Sequence, residues 1–356
     1  MPHATIVSPR TQQAVLSVPM IPFELPIIPM EAKVRTTWPA DGWAFEPKWD
    51  GFRAIASGGP ARLDSRKQRP LLRYFPELED VVASVPGGTV IDGEVVVVDQ
   101  DSLAFDMLQA RIHPAESRIT KLAEQTPGTL IAFDLLADGG EDLRGSPFAE
   151  RRSRLEALMP AISGAWNLTP STTDVTVAKR WFDEYEAAGC DGIVAKSLDG
   201  PYVEGKREML KFKHRRSVDC VVGGYRVHKD GDKIGSLLLG LYAPSGSLAF
   251  IGHCSGFTNH DRQELLVRFS SLKDVGSFGD DVRSPGGESR WSAGKDLSWV
   301  PVKPGVVIEI SYDQLTGERF RHATRFERWR PDKDPHDCTF DQLDLPEGPG
   351  FSSIFG

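Results

Sequence analysis

The chain has 356 residues and a formal net charge of -8, and 40% of its residues are hydrophobic and 26% charged. This length allows two domains, and the composition is ordinary for a soluble globular protein. The acidic balance excludes a protein coated in basic surface. It leaves a nucleic-acid enzyme open, because phosphate contacts depend on local clusters of Lys and Arg.

The sequence carries no sign of export or of a membrane anchor. Its N-terminal residues lack a basic start followed by an apolar core, and no apolar run reaches the roughly eighteen residues that a spanning helix needs. The cysteines lie far apart, without a C-x-x-C pair or a histidine at metal-ligand spacing. We therefore expect a cytoplasmic protein with neither a zinc site nor a disulfide framework.

The first half of the chain mixes strand and helix patterns. Residues 1–20 are expected to form a flexible leader, and the proline-rich stretch that follows them an extended arm. The apolar runs Val90–Val98 and Leu130–Leu136 predict buried strands. Ser146 and Pro147 mark the start of a helix over FAERRSRLEALM. These signals indicate an α+β domain.

A second helix is predicted over Val177–Ala188, because the spacing of Trp181 and Tyr185 places both rings on one helical face. Gly189 is expected to end this helix, as glycine commonly does.

After Arg216 short strand candidates follow one another, which is typical of a small β-barrel. They are Val218–Tyr225, Ser236–Tyr242, Leu248–Cys254, Val306–Tyr312 and Arg321–Arg330. One helix is predicted among them, Thr258–Leu272, where Thr258 and Asp261 form a capping-box pattern. Five strands with one helix suit a barrel of the OB type, and the change of texture places the domain boundary within Lys213–Ser217.

The string Lys48-Trp49-Asp50-Gly51 is the central motif. Alone it is a weak signal, because at ordinary residue frequencies roughly 0.1 copies of a K-x-D-G string are expected by chance in a chain of this length. Six further strings follow it in order: S-R at Ser65 and Arg66, D-G-E at Asp92–Glu94, F-D at Phe133 and Asp134, D-G-I-V-A-K at Asp191–Lys196, L-K-F-K at Leu210–Lys213, and R-W-R-P-D-K at Arg328–Lys333.

This ordered set resembles the covalent nucleotidyltransferases, which comprise ATP-dependent DNA ligases, RNA ligases and mRNA-capping guanylyltransferases. The resemblance covers nearly everything from Pro29 to Lys333. It implies an adenylation (nucleotidyltransferase) domain at residues 21–214, an OB-fold domain at residues 215–345 and a C-terminal tail at residues 346–356.

The resemblance implies that Lys48 attacks the α-phosphorus of ATP, expels pyrophosphate and carries AMP. A free lysine has a pKa near about 10.4 and is almost wholly protonated at neutral pH, so the site must favour the neutral amine. Lys211 and Lys213 lie two apart in a strand, hence on one face, and would lower the pKa of Lys48 while gripping the phosphate. Asp50 of the same motif is carried over as a catalytic residue. A solvated surface lysine is the ordinary alternative.

Other motif residues are implied to bind the nucleotide. Phe133 would stack on adenine, and Glu46, two residues before the nucleophile, would accept from the adenine amino group. Arg53 and Arg66 would bind ribose and the incoming 5′-phosphate, and Lys196 also belongs to the nucleotide site. A core phenylalanine and surface ion pairs are the ordinary alternatives.

Two carboxylates are implied to hold Mg²⁺, with Mn²⁺ as a substitute. Glu94 would contact the ribose or the metal, although a strand-end salt bridge is its ordinary interpretation. Asp191 occupies the place where many ligases carry a metal-binding glutamate, and its side chain is one methylene shorter. In the second domain, Arg330 and Lys333 would reach the β- and γ-phosphates of ATP.

Within the superfamily, FEPKWDGFRA, RIHPAESR, FIGHCSGFTNHDR and RFERWRPDK are similar to strings of bacterial, actinobacterial ligase C and the ligase module of ligase D. This implies a monomeric, nucleoid-associated ATP-dependent DNA ligase that seals 5′-phosphate/3′-hydroxyl nicks in double-stranded DNA during repair. It also implies a primase-polymerase partner and nicks with 3′-ribonucleotide ends. Two clusters of six Lys or Arg, in residues 205–216 and 319–333, are able to hold phosphates.

Three alternatives remain. An RNA ligase or a capping guanylyltransferase would use the same chemistry. A non-catalytic OB-type binder with a decayed transferase domain is opposed by the joint presence of Lys48, Glu94, Lys211 and Lys213. A kinase or other P-loop ATPase is opposed by the absence of G-x-x-x-x-G-K-[ST].

Overall fold

The computed structural model describes residues 19–162, 164, 166–274, 276–285, 297–344 and 347–355. Apart from Pro19 and Met20, the predicted flexible leader lies outside the described residues. The chain forms a mixed α+β part up to Lys213 and a β-rich part from Arg216 onward. No helix formed by the described residues is long and apolar enough to cross a membrane.

The α+β part contains eleven strands and five α-helices within the described residues, besides the short 3-10 helices Leu72–Tyr74, Pro76–Leu78 and Met159–Ala161. The strands are β1 (Ala32–Val34), β2 (Trp43–Pro47), β3 (Phe52–Ser57), β4 (Arg62–Ser65), β5 (Val90–Asp99), β6 (Ser102–Leu103), β7 (Gly128–Asp138), β8 (Glu141–Asp142), β9 (Trp166–Leu168), β10 (Gly192–Ser197) and β11 (Met209–Lys213). The helices are α1 (Glu79–Ala83), α2 (Phe105–Ala110), α3 (Glu116–Gln125), α4 (Phe148–Leu158) and α5 (Val175–Glu184).

Two sheets build this part. One runs in the order β4-β3-β5-β7-β8, with β6 added to β5 and β9 to β7, and the other runs in the order β1-β11-β10-β2. The β-branched run of β5 is paired on both sides, by β3 and β7, and is buried along most of its length. This explains why it reads as a continuous apolar stretch.

From Arg216 onward there are eight further strands and one α-helix within the described residues, besides the short 3-10 helices Pro335–Asp337, Phe340–Leu343 and Ser352–Ile354. The strands and the α-helix are β12 (Arg216–Val227), β13 (Ile234–Tyr242), β14 (Leu248–Cys254), α6 (Asn259–Ser270), β15 (Val300–Pro301), β16 (Val307–Tyr312), β17 (Leu315–Thr316), β18 (Arg319–Phe320) and β19 (Arg325–Trp329). The main sheet runs in the order β14-β13-β12-β16-β19 around one apolar core. It is an open sheet rather than a closed barrel, although an isolated bridge joins Cys254 to Thr324 beside its two edge strands.

Most predicted elements appear with small shifts of their ends. The capping box at Thr258 and Asp261 is present in full. Helix α5 begins at Val175, earlier than predicted, because Asp174 accepts a hydrogen bond from the backbone of Thr176 and caps the helix. It ends at Glu184 rather than Ala188, and a turn leads to Gly189, whose φ is +86°.

The strand predicted over Arg321–Arg330 is shorter, covering Arg325–Trp329. Arg321 instead follows a small β17–β18 hairpin, and its backbone N–H donates to Gln314. The residues in between bend away before the main sheet resumes.

The two parts are joined by His214 and Arg215, which lie between β11 and β12. The His214 ring stacks on Phe182 of α5 with 3.8 Å between ring centroids. Arg216, at the start of β12, forms an ion pair with Glu186 just beyond α5. The crossing point therefore rests on the C-terminal end of α5.

Candidate active site

A cleft of about 1670 Å³ opens between the two sheets of the α+β part, and Gln314, Arg319 and Arg321 of the β-rich part also line it. Eleven of the thirteen residues assigned from the sequence line this cleft. They are Glu46, Lys48, Asp50, Arg53, Arg66, Glu94, Phe133, Asp191, Lys196, Lys211 and Lys213.

Lys48 lies in the loop between β2 and β3, and its backbone is fixed to the start of β10. Its N–H donates to the carbonyl of Gly192 at 2.9 Å, and its carbonyl accepts from the N–H of Asp191 at 2.8 Å. A side chain at Gly51 would collide with the backbone of β5, so this position requires glycine for the loop to approach the sheet. Lys48 is thus carried by a turn whose backbone is fixed on both sides.

The Lys48 ammonium lies 2.7 Å from a carboxylate oxygen of Asp191, and the Lys213 ammonium lies 2.9 Å from the same oxygen. Burial acts to lower the pKa of Lys48, but Asp191, followed by Glu94 and Asp50, acts in the opposite direction, and the net result is a raised pKa. Burial also acts on Asp191, yet the two lysines hold the pKa of this carboxyl below its ordinary value.

The expectation that Lys211 and Lys213 lower the pKa of Lys48 is therefore wrong, because the surrounding carboxylates raise this pKa. Lys213 has its charge compensated by Asp191, which also favours the ammonium form of Lys48. Lys211 has its own pKa lowered by burial and then by the neighbouring lysines. This arrangement favours the ammonium form of Lys48.

Glu94 lies opposite Arg53 across the β3–β5 ladder. Burial raises the pKa of Glu94 to about 7, although Arg53 and Lys48 oppose that shift. With Asp191 it supplies two carboxylates at one cleft, and Mg²⁺ in enzymes of phosphate chemistry is usually held by one or two carboxylates plus phosphate oxygens and water. The donor set fits this metal, provided that Lys48 and Lys213 release Asp191.

Phe133 of β7 presents its ring to the cleft between two cations. The Arg53 guanidinium lies 4.6 Å from the ring centroid and the Lys196 ammonium 4.7 Å. Arg53 is itself held by Asp92, to which it donates two hydrogen bonds of 2.5 Å. The ring lies in a hydrogen-bonded frame rather than in a purely apolar core.

Glu46 of β2 is buried and paired on both oxygens. Lys196 lies 2.8 Å from one oxygen and Arg152 of α4 lies 3.4 Å from the other. Burial raises the pKa of Glu46, while Lys196 and Arg152 act in the opposite direction. Lys196 also donates to the carbonyl of Phe133 at 2.6 Å, so one lysine fixes both predicted base-recognition residues.

Arg330 and Lys333 are the two predicted site residues that do not line the cleft. Arg330 instead pairs with Asp219 at 2.7 Å and Asp332 at 2.9 Å within the β-rich part. The contact across the cleft is made by Arg321, which lies 3.0 Å from Asp50. This orientation presents the β17–β18 hairpin, not the R-W-R-P-D-K string, to Lys48.

Several supporting residues of the site are not among those predicted from the sequence. Asp92 and Tyr202 hold Arg53, since the Tyr202 hydroxyl donates to Asp92 at 2.6 Å. Asp92 could have been found, because it is the first residue of the D-G-E string. Tyr202, Arg152 and Arg321 carry no local signal, because each acquires its role through a contact distant in sequence.

Comparison with known proteins identifies the family. Residues 29–213 match the family described as ATP dependent DNA ligase domain, and residues 230–333 match the ATP dependent DNA ligase C terminal region. DNA ligase C2 of Mycolicibacterium smegmatis is 47% identical over 355 residues, which cover 95% of this chain and 99% of that protein. The chain belongs to the ATP-dependent DNA ligase family.

Two further ligases are similar to this chain, one in sequence and one in fold. The multifunctional non-homologous end joining DNA repair protein LigD of Mycobacterium tuberculosis is 31% identical over 305 residues, covering 83% of this chain and 37% of that protein. A solved Lig E DNA ligase matches 85% of this chain and 100% of its own, with a TM-score of 0.55 and 16% identity. This last likeness concerns the fold, and it confirms the predicted nucleotidyltransferase domain followed by an OB-fold domain.

Proposed function

We propose that this DNA ligase seals nicks with a 5′-phosphate and a 3′-hydroxyl in double-stranded DNA by way of an AMP carried on Lys48. The observation that carries the proposal is the placement of the Lys48 amine, on a fixed turn, beside Asp191 and Lys213 in a cleft lined by Phe133 and Glu46. Membership of the ligase family supports the reaction, and this placement supports Lys48 as the residue that carries AMP.

In the first step the neutral Lys48 amine attacks the α-phosphorus of ATP, a phosphorus–nitrogen bond forms and pyrophosphate leaves. Lys211 and Lys213 face the phosphates as point charges, and Phe133 and Glu46 hold the base. Asp191 stands closest to the proton that Lys48 must give up. These residues mainly position the reacting groups and neutralise the negative charge of the phosphates, and these two effects account for most catalysis of phosphoryl and nucleotidyl transfer.

Glu94 and Asp191 would hold Mg²⁺ in the proposed site. Mg²⁺ held there would supply positive charge opposite the transferring phosphate, and an Asp191 engaged with the ion would no longer pair with Lys48. Removing this carboxylate contact takes away the largest charge interaction that holds Lys48 protonated. Arg330 and Lys333 would reach the β- and γ-phosphates after the OB-fold domain turns.

The 5′-phosphate of the nick then attacks the lysine-bound AMP, and the 3′-hydroxyl displaces AMP from the adenylated end. Arg66 is exposed beside the cleft and is proposed to bind the 5′-phosphate. Likeness to LigD supports a role in DNA repair. On the same ground we propose that a primase-polymerase cooperates with the ligase and that nicks with 3′-ribonucleotide ends are accepted, in the cytoplasm at the nucleoid.

The proposal is tested by sealing a 5′-labelled nick with wild type and Lys48→Ala in the presence of ATP and Mg²⁺. We expect wild type to join the DNA strands with ATP but not with GTP, and Lys48→Ala to show no joining above background. Lys179→Ala removes an exposed lysine of α5 and should leave joining unchanged. Joining by Lys48→Ala, or a strong preference for an all-RNA nick, would reject the proposal.

A further inference from the structure

The segment formed by residues 347–355 follows the OB-fold domain but packs against the adenylation domain, directly behind the nucleophile. The Phe355 ring stacks on Trp49 with 5.3 Å between centroids and an interplanar angle of 16°. Phe351 meets the same indole edge-on at 5.9 Å. Phe351 and Ile354 join Trp49 and Cys190 in one buried apolar cluster.

Hydrogen bonds and close backbone contacts fix this segment in its position on the adenylation domain. The N–H of Phe351 donates to the carbonyl of Asp101 at 2.6 Å, and the N–H of Ser352 donates to the Asp101 carboxylate at 2.7 Å. A side chain at Gly348 would collide with the carbonyl of Glu184, and one at Gly350 would collide with the Asp101 carboxylate. The two glycines therefore allow the segment to pack closely against the adenylation domain.

The residues under the segment are the chain neighbours of the reacting pair. Trp49 follows Lys48, and Cys190 precedes Asp191. The indole of Trp49 is fixed at its edge, where Nε1–H donates to the Thr169 hydroxyl at 2.9 Å, and on its face by Phe355. The backbones of Lys48 and Asp191 are joined by a hydrogen bond of 2.8 Å. A displacement of Trp49 or Cys190 would therefore also shift the backbone of Lys48 and Asp191, the two members of the ion pair.

We propose that residues 347–355 are a strap whose rings, Phe351 and Phe355, act as positioning residues for the adenylation of Lys48. This rests on the proposed function of Lys48. The strap holds Trp49 and Cys190, these fix the backbone of Lys48 and Asp191, and the amine stays in line with the α-phosphorus. A reacting atom displaced by about 1 Å costs on the order of 100-fold in rate, so a strap remote from the substrate can act strongly.

The test separates adenylation from later steps. We expect Phe355→Ala, and more strongly Phe351→Ala with Phe355→Ala, to slow single-turnover adenylation of Lys48 at saturating ATP by roughly 10- to 100-fold. The KM for ATP should stay within about twofold, because no strap residue lines the cleft. Sealing of a pre-adenylated nick should be unchanged, because Lys48 is not the nucleophile there. Phe355→Tyr, which keeps the ring, should restore the rate.

Cys190 reports directly on strap docking. Its free thiol is buried in the cluster that contains Phe351 and Ile354 of the strap, so wild type should resist alkylation by iodoacetamide at this residue. Gly348→Ala should lift the strap while keeping both rings, expose Cys190 and slow adenylation. Gly256→Ala is the matched control, because a side chain there meets nothing within 4 Å.

The strap proposal is overturned if Cys190 stays protected in every strap variant, or if adenylation runs at the wild-type rate once Cys190 has become reactive. An equal loss of adenylation and of pre-adenylated nick sealing would also overturn it, since it would mark a general structural defect. Failure of the proposed function is seen separately, as wild-type protein that never acquires AMP on Lys48, and the strap proposal falls with it.

Discussion

At Asp191 one carboxylate oxygen lies within 3 Å of two ammonium groups, those of Lys48 and Lys213. The motif predicted that these residues share a site, but it did not predict which of them would pair. A lysine two residues from another was expected to act as a free positive charge, whereas in the structure its charge is compensated. Ion pairing depends on distances between strands, and a sequence does not give these distances.

The proposed recognition of adenine by Glu46 can be tested with a single substitution. Glu46→Gln keeps the shape of the side chain and removes its charge, so the proposed bond to the adenine amino group weakens. Hydrogen bonds to charged groups contribute about 1.5–3 kcal/mol, which corresponds to a loss of roughly 10- to 150-fold in kcat/KM for ATP. Because an amide can also donate to a guanine oxygen, the preference for ATP over GTP should fall.

The measurement is single-turnover adenylation with each nucleotide, with urea unfolding as a check on folding. Glu31→Gln is the control, because Glu31 is an acid at the rim of the same cleft and is more exposed. An unchanged ratio of ATP to GTP in Glu46→Gln would show that Glu46 does not read the base and only balances Lys196.

At the scale of elements, strand alternation carried most of the correct predictions. Lys211 and Lys213 were placed on one face from their spacing, and in β11 they lie opposite Val194 and Gly192 of β10. The continuous apolar runs of β5 and β7 predict those strands, because a strand that is buried on both faces is apolar throughout.

Pairing between distant strands could not be predicted in the same way. Strand β10 pairs with β2, far earlier in the chain, and this places Val194 opposite Glu46 and brings Asp191 to Lys48. The short hairpin β17–β18 was missed, because two-residue strands leave no periodic pattern. The strap was also missed as a structural element, because FSSIF lacks any helical or strand period and gains its place only by packing on Trp49.

For the whole molecule, the orientation of the OB-fold domain matters most. Arg321 reaches Asp50 across the cleft, while Arg330 remains paired within its own domain. If Arg330 and Lys333 serve the first step, the domain must turn about the linker at His214 and Arg215. The present orientation then belongs to the state before that turn or to the steps that follow adenylation.

Arg321→Ala removes this contact between domains. Partly exposed ion pairs contribute about 0.2–1 kcal/mol, so the sealing of a pre-adenylated nick should slow by roughly 1.5- to fivefold. Adenylation by ATP should not slow, because the domain leaves this orientation more easily. Rapid-quench measurement of the two steps distinguishes them.

Arg154→Ala provides the comparison, since Arg154 pairs with Asp138 inside the adenylation domain at 2.8 Å. That variant should leave both steps unchanged. Slower adenylation in Arg321→Ala, with sealing unaffected, would assign this orientation to the first step instead.

The central claim is that the Lys48 side chain carries AMP. Wild-type protein freed of bound nucleotide with pyrophosphate, then incubated with ATP and Mg²⁺, should gain the mass of one AMP. Peptide mapping should place this mass on Lys48, and Lys48→Ala should gain nothing. An adduct on another residue, or a wild-type protein that seals nicks without ever gaining this mass, would contradict the account.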